Sequence, residues 1–569
     1  MTTRLEELTA QLATDNNAYN PDLYLERAEE YLRLEFPDLA CGDAYRAVLL
    51  ADYVRDYLDS GELEEEEGEG EDDEEEEAED ETEEEEDDED EDEDDEERID
   101  AEEFLAATHA WTFLRTSDIL SFTEESALTT LSNALRAAGC HAESVQYAKT
   151  GLSRFPESTE LASLAALPVD STGKARRFVY PWNHHEPDRF AKETLEYLNT
   201  KVVPASSDSI EVCVVELPLL GEDAEDRGTT KHLGVFATKD IAIGEQCLRE
   251  ESALTVVTDS ANGGLCEYCG QRYKAEARAT RPSLNKADRI ANAAAAAAAE
   301  KFSKETFTCE LCEDAEAEGI ETAVPVWCSS RCKEEAMKRY HPAVCSRPTA
   351  PIHRAAISTE KSSSSLTTGS QPGGAVYALL MMKAFAMAIV QNTHPLELAE
   401  TKYLYGVPPV EEGDLRIGWG YEENVRGAVT ILEALGVDVF SGKHMRLETD
   451  ATLAWWDTWV VNTLIAKFRG VASGRLNSEG KTEAAAAHTL YSMVNHDCQP
   501  TVKWECGGIM EFWGVKDMKK GEELNSCYCD NRMPVKERRE WMMGCLGGAC
   551  MCKRCVREDL EERMKDVKI

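Results

Sequence analysis

At 569 residues and 42% apolar content, the chain has room for three or four domains, each with its own core. A net charge of −53 excludes the electrostatic footprint of a nucleic-acid binder. The longest apolar run, AVYALLMMKAFAMAIV, has 16 residues with Lys383 inside it, which excludes a membrane span and predicts a buried helix. The opening MTTRLEELTAQL lacks the basic and apolar regions of a signal peptide, so a soluble intracellular protein, nuclear or cytoplasmic, is expected. In that setting 19 cysteines point to metal ligands or free thiols rather than disulfides.

In chain order, the first sixty residues are helical in pattern. Ala28, Tyr31, Ala40, Ala44 and Ala47 set small residues where two antiparallel helices would touch, with Tyr31 filling the gap. That spacing resembles a tetratricopeptide repeat. A weaker copy runs through Ser132, Ser144 and Gly151, with Pro156 closing the unit. Two copies fall short of the three that a free-standing solenoid needs, so this region is expected to pack on something else.

Between the copies, from Glu64 to Glu97, 34 residues hold 30 acidic ones. Such a run self-repels and buries no apolar surface, so disorder is expected over 62–98. It serves either as a solubilising loop or as a dock for a basic partner such as a histone tail.

From Ile210 the pattern turns to short strands, in IEVCVVELP and GVFATKDIAIGEQCLREES. A cysteine-rich zone follows, interrupted by the alanine-rich NKADRIANAAAAAAAEKF. After a serine-rich linker the chain reads as helical to about Arg475, and strand-like sequence returns from His488 to Asp530. A β-domain split by two insertions explains this order better than four independent domains.

The cysteine-rich zone contains four ordered pairs: Cys266 with Cys269, Cys309 with Cys312, Cys328 with Cys332, and His341 with Cys345. A CxxC turn aims two thiolates at one ion, and x3 spacing puts two ligands on one helical face. Eight soft ligands fit two tetrahedral zinc sites. Their order resembles the MYND zinc finger, whose sites interleave. The resemblance implies that Cys266, Cys269, Cys328 and Cys332 hold one zinc, and that Cys309, Cys312, His341 and Cys345 hold the second. It also implies proline-containing peptides as partners. The 39 residues between Cys269 and Cys309 are a departure, and the insertion must loop out.

Near the end, Cys550, Cys552 and Cys555 leave a third zinc site one ligand short. Cys498, in VNHDCQPT, is a candidate for the fourth. The same cysteine beside His496 also admits a nucleophile–base reading. That reading is weak, because catalytic pairs usually converge from distant segments. YSMVNHDCQPTVKWE resembles the NHSCxPN motif of SET-domain lysine methyltransferases. GEELNSCYCD resembles their GEELxxxY motif, KHLGVFATKDIAIGE their GxG-containing hairpin, and RREWMMGCLGGACMCKRC their post-SET helix and zinc knuckle. The four blocks, with a finger after the first, resemble the SET-and-MYND subfamily over about 210–555.

The resemblance implies an α+β multidomain protein whose β-rich SET core is split by a MYND finger and a helical insert. Its expected parts are a tetratricopeptide-like arm (1–165), a linker (166–209), the first SET segment (210–258), the finger (259–346) and a serine-rich linker (347–374). A helical insert (375–487), the second SET segment (488–535) and the post-SET knuckle with its tail (536–569) complete it. Tyr528 is implied as the catalytic residue. Asn495 and His496, with the turn His232-Leu233-Gly234, are implied as holding S-adenosylmethionine. Cys498 is implied to complete the third zinc site with Cys550, Cys552 and Cys555. The substrate would be a lysine of a histone or another protein, and the enzyme a monomer.

Three positions depart from the motifs: His232 for a glycine, Thr501 for the closing asparagine, and Gly548 where an adenine-stacking aromatic is usual. The loss at Thr501 is expected to cost about 1 kcal/mol, and Trp541 or Trp513 is the expected substitute for the aromatic. These departures motivate the alternative of a silent SET scaffold that recruits partners.

Overall fold

A computed structural model describes residues 3–59, 106, 108–114, 116–169, 180–221, 227–259, 263–273, 306–358, 374–405, 419–477, 481–506, 508–546 and 548–566. The acidic run, the alanine-rich insertion and residues 359–373 of the serine-rich linker lie outside the described residues. The chain forms two units, one of Arg4–Ala134 with Val145–Ala166, the other mostly Leu167–Ile569.

The smaller unit is helical. Helix Pro21–Arg33 begins with Pro21 behind Asn20, whose side chain accepts the Asp22 N–H. Glu35, at φ 64°, reverses the chain into helix Pro37–Asp59. Ala28, Ala40, Ala44 and Ala47 are fully buried and Tyr31 nearly so. Close approach of the two helices also buries a forked ion pair, Arg27 Nε and Nη2 on Asp43 at 2.6 and 2.7 Å. Further along, buried Glu124 accepts from both Arg55 and Arg154, and Arg154 also reaches Asp52 at 2.6 Å. Gly151 lets Leu161 approach closely, since a Cβ would sit 2.7 Å from Leu161 Cδ1.

The larger unit carries three antiparallel sheets built from β1 (Ile210–Pro218), β2 (Thr229–Ala237), β3 (Gln246–Glu251), β4 (Thr255–Val257), β5 (Ser473–Leu476), β6 (Thr482–Ala486), β7 (Val502–Cys506), β8 (Ile509–Gly514) and β9 (Glu523–Leu524). Their orders are β1-β2-β9, β3-β8-β7 and β4-β6-β5. Each sheet therefore joins strands from before and after the cysteine-rich and helical stretch. The first two sheets share one apolar core that includes Val212, Leu233, Val235, Leu248, Val494, Phe512 and Leu524, and the third packs Val257 and Ala484 against Leu265.

Three boundaries differ from the sequence reading. Strands β5 and β6 lie inside the expected helical insert 375–487. Ala484–Ala486 favour a helix by propensity, but pairing with Thr255–Val257 buries them and overrides it. The expected linker 166–209 contains helix Lys192–Tyr197, and Leu198 and Val203 just beyond it pack on the core. The expected linker 347–374 contains helix Ala350–Ser358, which buries Ala356.

The apolar run forms helix Gly374–Val390, packed against β4 and helices Gly427–Ala434 and Thr458–Val471. Its interrupting Lys383 is buried but satisfied: Glu267 Oε1 accepts from it at 2.8 Å, and its ammonium sits 3.8 Å from the Tyr340 ring centre. Among the described residues, no helix is long and apolar enough to cross a membrane.

Candidate metal centres and active site

Helix starts place the first two clusters. Ser329 caps helix Ser330–Arg339 by accepting the Cys332 N–H, and Cys312 lies in the first turn of helix Glu310–Ala317. Cys266, Cys269, Cys328 and Cys332 converge, with sulfur pairs at 3.7 Å for Cys269–Cys328 and Cys328–Cys332. Cys309, Cys312, His341 and Cys345 converge separately at 3.6–3.7 Å. Ligands ~2.3 Å from one tetrahedral ion stand about 3.8 Å apart, so both sets fit zinc. Trp327, fully buried, meets the His341 ring edge-on at 5.1 Å and fixes its plane.

The third cluster unites Cys498 with Cys550, Cys552 and Cys555, and Cys498 Sγ lies 4.0 and 3.4 Å from Cys550 and Cys555. Buried Arg538 donates to Cys555 Sγ at 3.4 Å. Arg554 donates to the Cys498 carbonyl at 3.2 Å and to the Asn531 carbonyl at 2.8 Å. In each cluster neighbouring thiols push some members' pKa down and others' up; Cys332 is lowered, Cys269 and Cys498 raised. A divalent cation resolves that conflict by taking all of them as ligands.

Beside this cluster the two motif segments run parallel, through a bridge between His496 and Ser526. Asp497 N–H donates to the Ser526 carbonyl at 2.9 Å, and Ser526 N–H to the Asn495 carbonyl at 3.0 Å. Asn495 Nδ2 donates to the Leu233 carbonyl at 3.0 Å and to Glu523 Oε1 at 2.8 Å. His232, Leu233 and Gly234, expected as a turn, lie within strand β2 and pair with Val215, Val214 and Cys213, so that single amide ties the strand to both motifs. A Cβ at Gly234 would lie 2.9 Å from Glu523 Oε1 and would push that carboxylate aside.

His496 points its ring between Tyr528 and the third cluster. Nδ1 accepts the Tyr528 N–H at 3.0 Å, so the ring proton sits on Nε2, which faces Cys498 Sγ at 3.3 Å. Burial, followed by the charge of Arg538, pushes its pKa down to about 4 and keeps the ring neutral. Its ring centre is 5.2 Å from that of Tyr528, whose hydroxyl donates to the Val494 carbonyl. The geometry makes Cys498 a member of a thiolate cluster, with His496 as its hydrogen-bond donor.

Two departures acquire physical reasons. Thr501 Oγ1 accepts the Asn525 N–H at 2.8 Å and donates to the Glu523 carbonyl at 3.2 Å, which offsets the expected hydrogen-bond loss. At Gly548 a Cβ would stand 2.6 Å from Leu220 Cβ, and the Ala549 N–H donates to the Gly221 carbonyl at 2.9 Å. Close backbone packing therefore leaves no room for an aromatic there. Trp541 is 57% exposed and Trp513 lies 5.6 Å under Lys503, so neither is seen to substitute.

Sequence reasoning passed over two residues. Glu523 lies inside the quoted GEEL block but was assigned no role; burial raises its pKa. Glu250, on β3, accepts the Leu490 N–H at 2.9 Å and the Tyr491 N–H at 3.1 Å, capping the turn that leads into Val494–Cys498. No local motif marks it.

Comparison with known proteins finds similarity over short stretches of the chain. A SET and MYND domain-containing protein of Dictyostelium discoideum is 30% identical over 88 residues, covering 15% of this chain and 17% of that protein. The histone-lysine N-methyltransferase ATXR4 of Arabidopsis thaliana is 33% identical over 82 residues, 14% of this chain and 25% of its own length. The chain is related to the SET-domain lysine methyltransferases. Human SMYD3, a histone-lysine N-methyltransferase, matches at 30% over 89 residues, 16% of this chain and 21% of SMYD3. The chain thus spans a quarter or less of the length of these SET relatives. No family model matches it.

Proposed function

We propose that the chain is an S-adenosylmethionine-dependent protein-lysine N-methyltransferase acting on a histone or another protein. The observation that carries this reading is the Asn495 amide, which joins the Leu233 carbonyl to Glu523 while His496 holds the Tyr528 backbone alongside.

S-adenosylmethionine would supply a methyl group on a positively charged sulfur. His232, Leu233, Gly234, Asn495 and His496 would hold it, the last chiefly through backbone atoms. Methyl transfer to an amine is an in-line displacement, so alignment matters more than acid–base chemistry. The amine of unperturbed pKa ~10.4 must be neutral on attack, which a dry channel favours. Tyr528 would line that channel. Its hydroxyl donates to the Val494 carbonyl, and an oxygen held in that way would accept from an electron-poor methyl group.

In the same reading the Cys/His clusters hold three zinc ions, two in a MYND-type finger open to proline-containing peptides and one in a post-SET knuckle. The helical N-terminal unit is a tetratricopeptide-like arm, and the enzyme is an intracellular monomer in nucleus or cytoplasm. Incubation with labelled S-adenosylmethionine and a protein extract tests the activity, comparing wild type with Tyr528→Phe. Labelling by wild type alone is expected. Equal labelling by both removes Tyr528 from its role, and labelling by neither favours the silent scaffold.

A further inference from the structure

Two sulfurs beside Tyr528 belong to none of the three zinc sets. Cys527 and Cys529 flank the tyrosine, and the chain bends there so that their sulfurs stand 3.9 Å apart. Cys527 Sγ also donates to the Cys529 carbonyl at 3.0 Å, a measure of how tightly the bend is drawn. Both side chains are half-buried, whereas Cys41, Cys140 and Cys247, also outside the zinc sets, are buried. Cys529 packs against the third cluster, and Cys527 is not part of that packing.

A fourth metal site does not account for the pair. His496, Cys498 and Cys529 bring their donor atoms within 4.8 Å of one another. The His496 ring, however, accepts the Tyr528 N–H through Nδ1, so Nε2 carries the proton and offers no lone pair. Cys498 already belongs to the third cluster. Cys527 and Cys529 are left to each other. A disulfide holds its sulfurs at about 2.0 Å, so side-chain rotation with a small movement of the bend closes the gap.

We propose that Cys527 and Cys529 are a site of reversible oxidation by a hydroperoxide, which closes a disulfide around Tyr528. The outer sulfur reacts first: the Cys527 thiolate attacks a peroxide oxygen, the O–O bond breaks, and water or an alcohol leaves. Cys527 is then a sulfenic acid. The Cys529 thiolate attacks that sulfur, the S–S bond forms, and hydroxide departs as water with the proton that Cys529 gave up. Two thiols thus lose two electrons and two protons, and the peroxide takes both. Closure breaks the Cys527 bond to the Cys529 carbonyl and draws together the residues on either side of Tyr528. That movement pulls against both anchors of the tyrosine, its N–H on His496 Nδ1 and its hydroxyl on the Val494 carbonyl. The consequence for methyl transfer rests on the methyltransferase reading; the bond itself does not.

Hydrogen peroxide on the zinc-loaded full chain tests it, at doses that leave the zinc content unchanged. Trypsin cuts after Lys520 and Arg532, and the peptide 521–532 contains Cys527 and Cys529 and no other cysteine. After free thiols are blocked with iodoacetamide, this peptide should be unalkylated and lighter by the two thiol hydrogens. Dithiothreitol should return both thiols. Methyl transfer should fall roughly tenfold to a hundredfold as the bond forms and recover on reduction, while Cys527→Ser keeps its own rate through the same treatment. Alkylation of both cysteines, a crosslink from Cys529 to Cys498, or zinc release ahead of the mass change overturns the proposal. A disulfide that leaves the rate unchanged overturns its effect on Tyr528. Reduced wild type without transfer activity sinks the methyltransferase reading, and the peptide mass still decides the oxidation site.

Discussion

The carboxylate of Glu250 accepts the backbone N–H of Leu490 at 2.9 Å, joining residues 240 apart in sequence. Burial pushes Glu250 up to about 7, against the pull of the Leu490, Tyr491 and Thr489 N–H groups. Because this is above its unfolded value, the folded state favours the protonated acid. The contribution is full below about pH 4.5 and is lost as pH rises through about 7. Wild type should therefore lose roughly 1–2 kcal/mol relative to Glu250→Gln between pH 6 and pH 8.5. Denaturant unfolding at the two pH values measures it; parallel curves refute the assignment.

Tyr528→Phe removes one oxygen and leaves the ring beside His496. Methyl transfer should fall by about a hundredfold or more, with S-adenosylmethionine affinity changed less than about twofold. A rate loss that tracks a matching affinity loss would assign Tyr528 to binding instead.

Cys498→Ser takes one thiolate from the third cluster and replaces the sulfur facing His496 Nε2 with a shorter hydroxyl. Elemental analysis should show about one zinc fewer per chain, and amide exchange should quicken at 494–498 and at Tyr528. Cys269→Ser should also cost one zinc but leave exchange at Tyr528 unchanged. A nucleophile would behave differently: its serine variant would keep its metal and lose only chemistry.

In the helical unit, Asp43→Ala removes the carboxylate that pairs with the guanidinium of Arg27, which is 1% exposed. Breaking a buried pair from one side costs about 3–5 kcal/mol. The helical unfolding transition, followed by circular dichroism, should shift accordingly. Arg27→Met with Asp43→Leu should recover only part of the loss, since the Arg27 charge is removed but buried Arg46 loses the Asp43 carboxylate 4.0 Å away.

The ligand clusters were readable from spacing because a chelating pair is a local object: two or three residues on a turn or helix start fix both donors. The convergence of Cys498 with Cys550 needed the family pattern. β5 and β6 escaped because the alanines 484–486 carry a helical preference that only their partner strand overrules. Glu250 and the tight approach of Gly548 to Leu220 are long-range relations, and nothing in their neighbours' identities records them.

The mixed origin of the three sheets has a consequence for biosynthesis. Cys247 and Phe512, joined across the β3–β8 pair, leave the ribosome 265 residues apart. At about 5–20 residues per second, that is roughly 13 to 50 seconds during which the early hairpin has unsatisfied edges. The finger clusters need no later strand and can close within that interval if zinc is at hand. The catalytic half assembles only when the last hundred or so residues arrive, so a chain stalled before β7 presents apolar strand edges and calls for a chaperone.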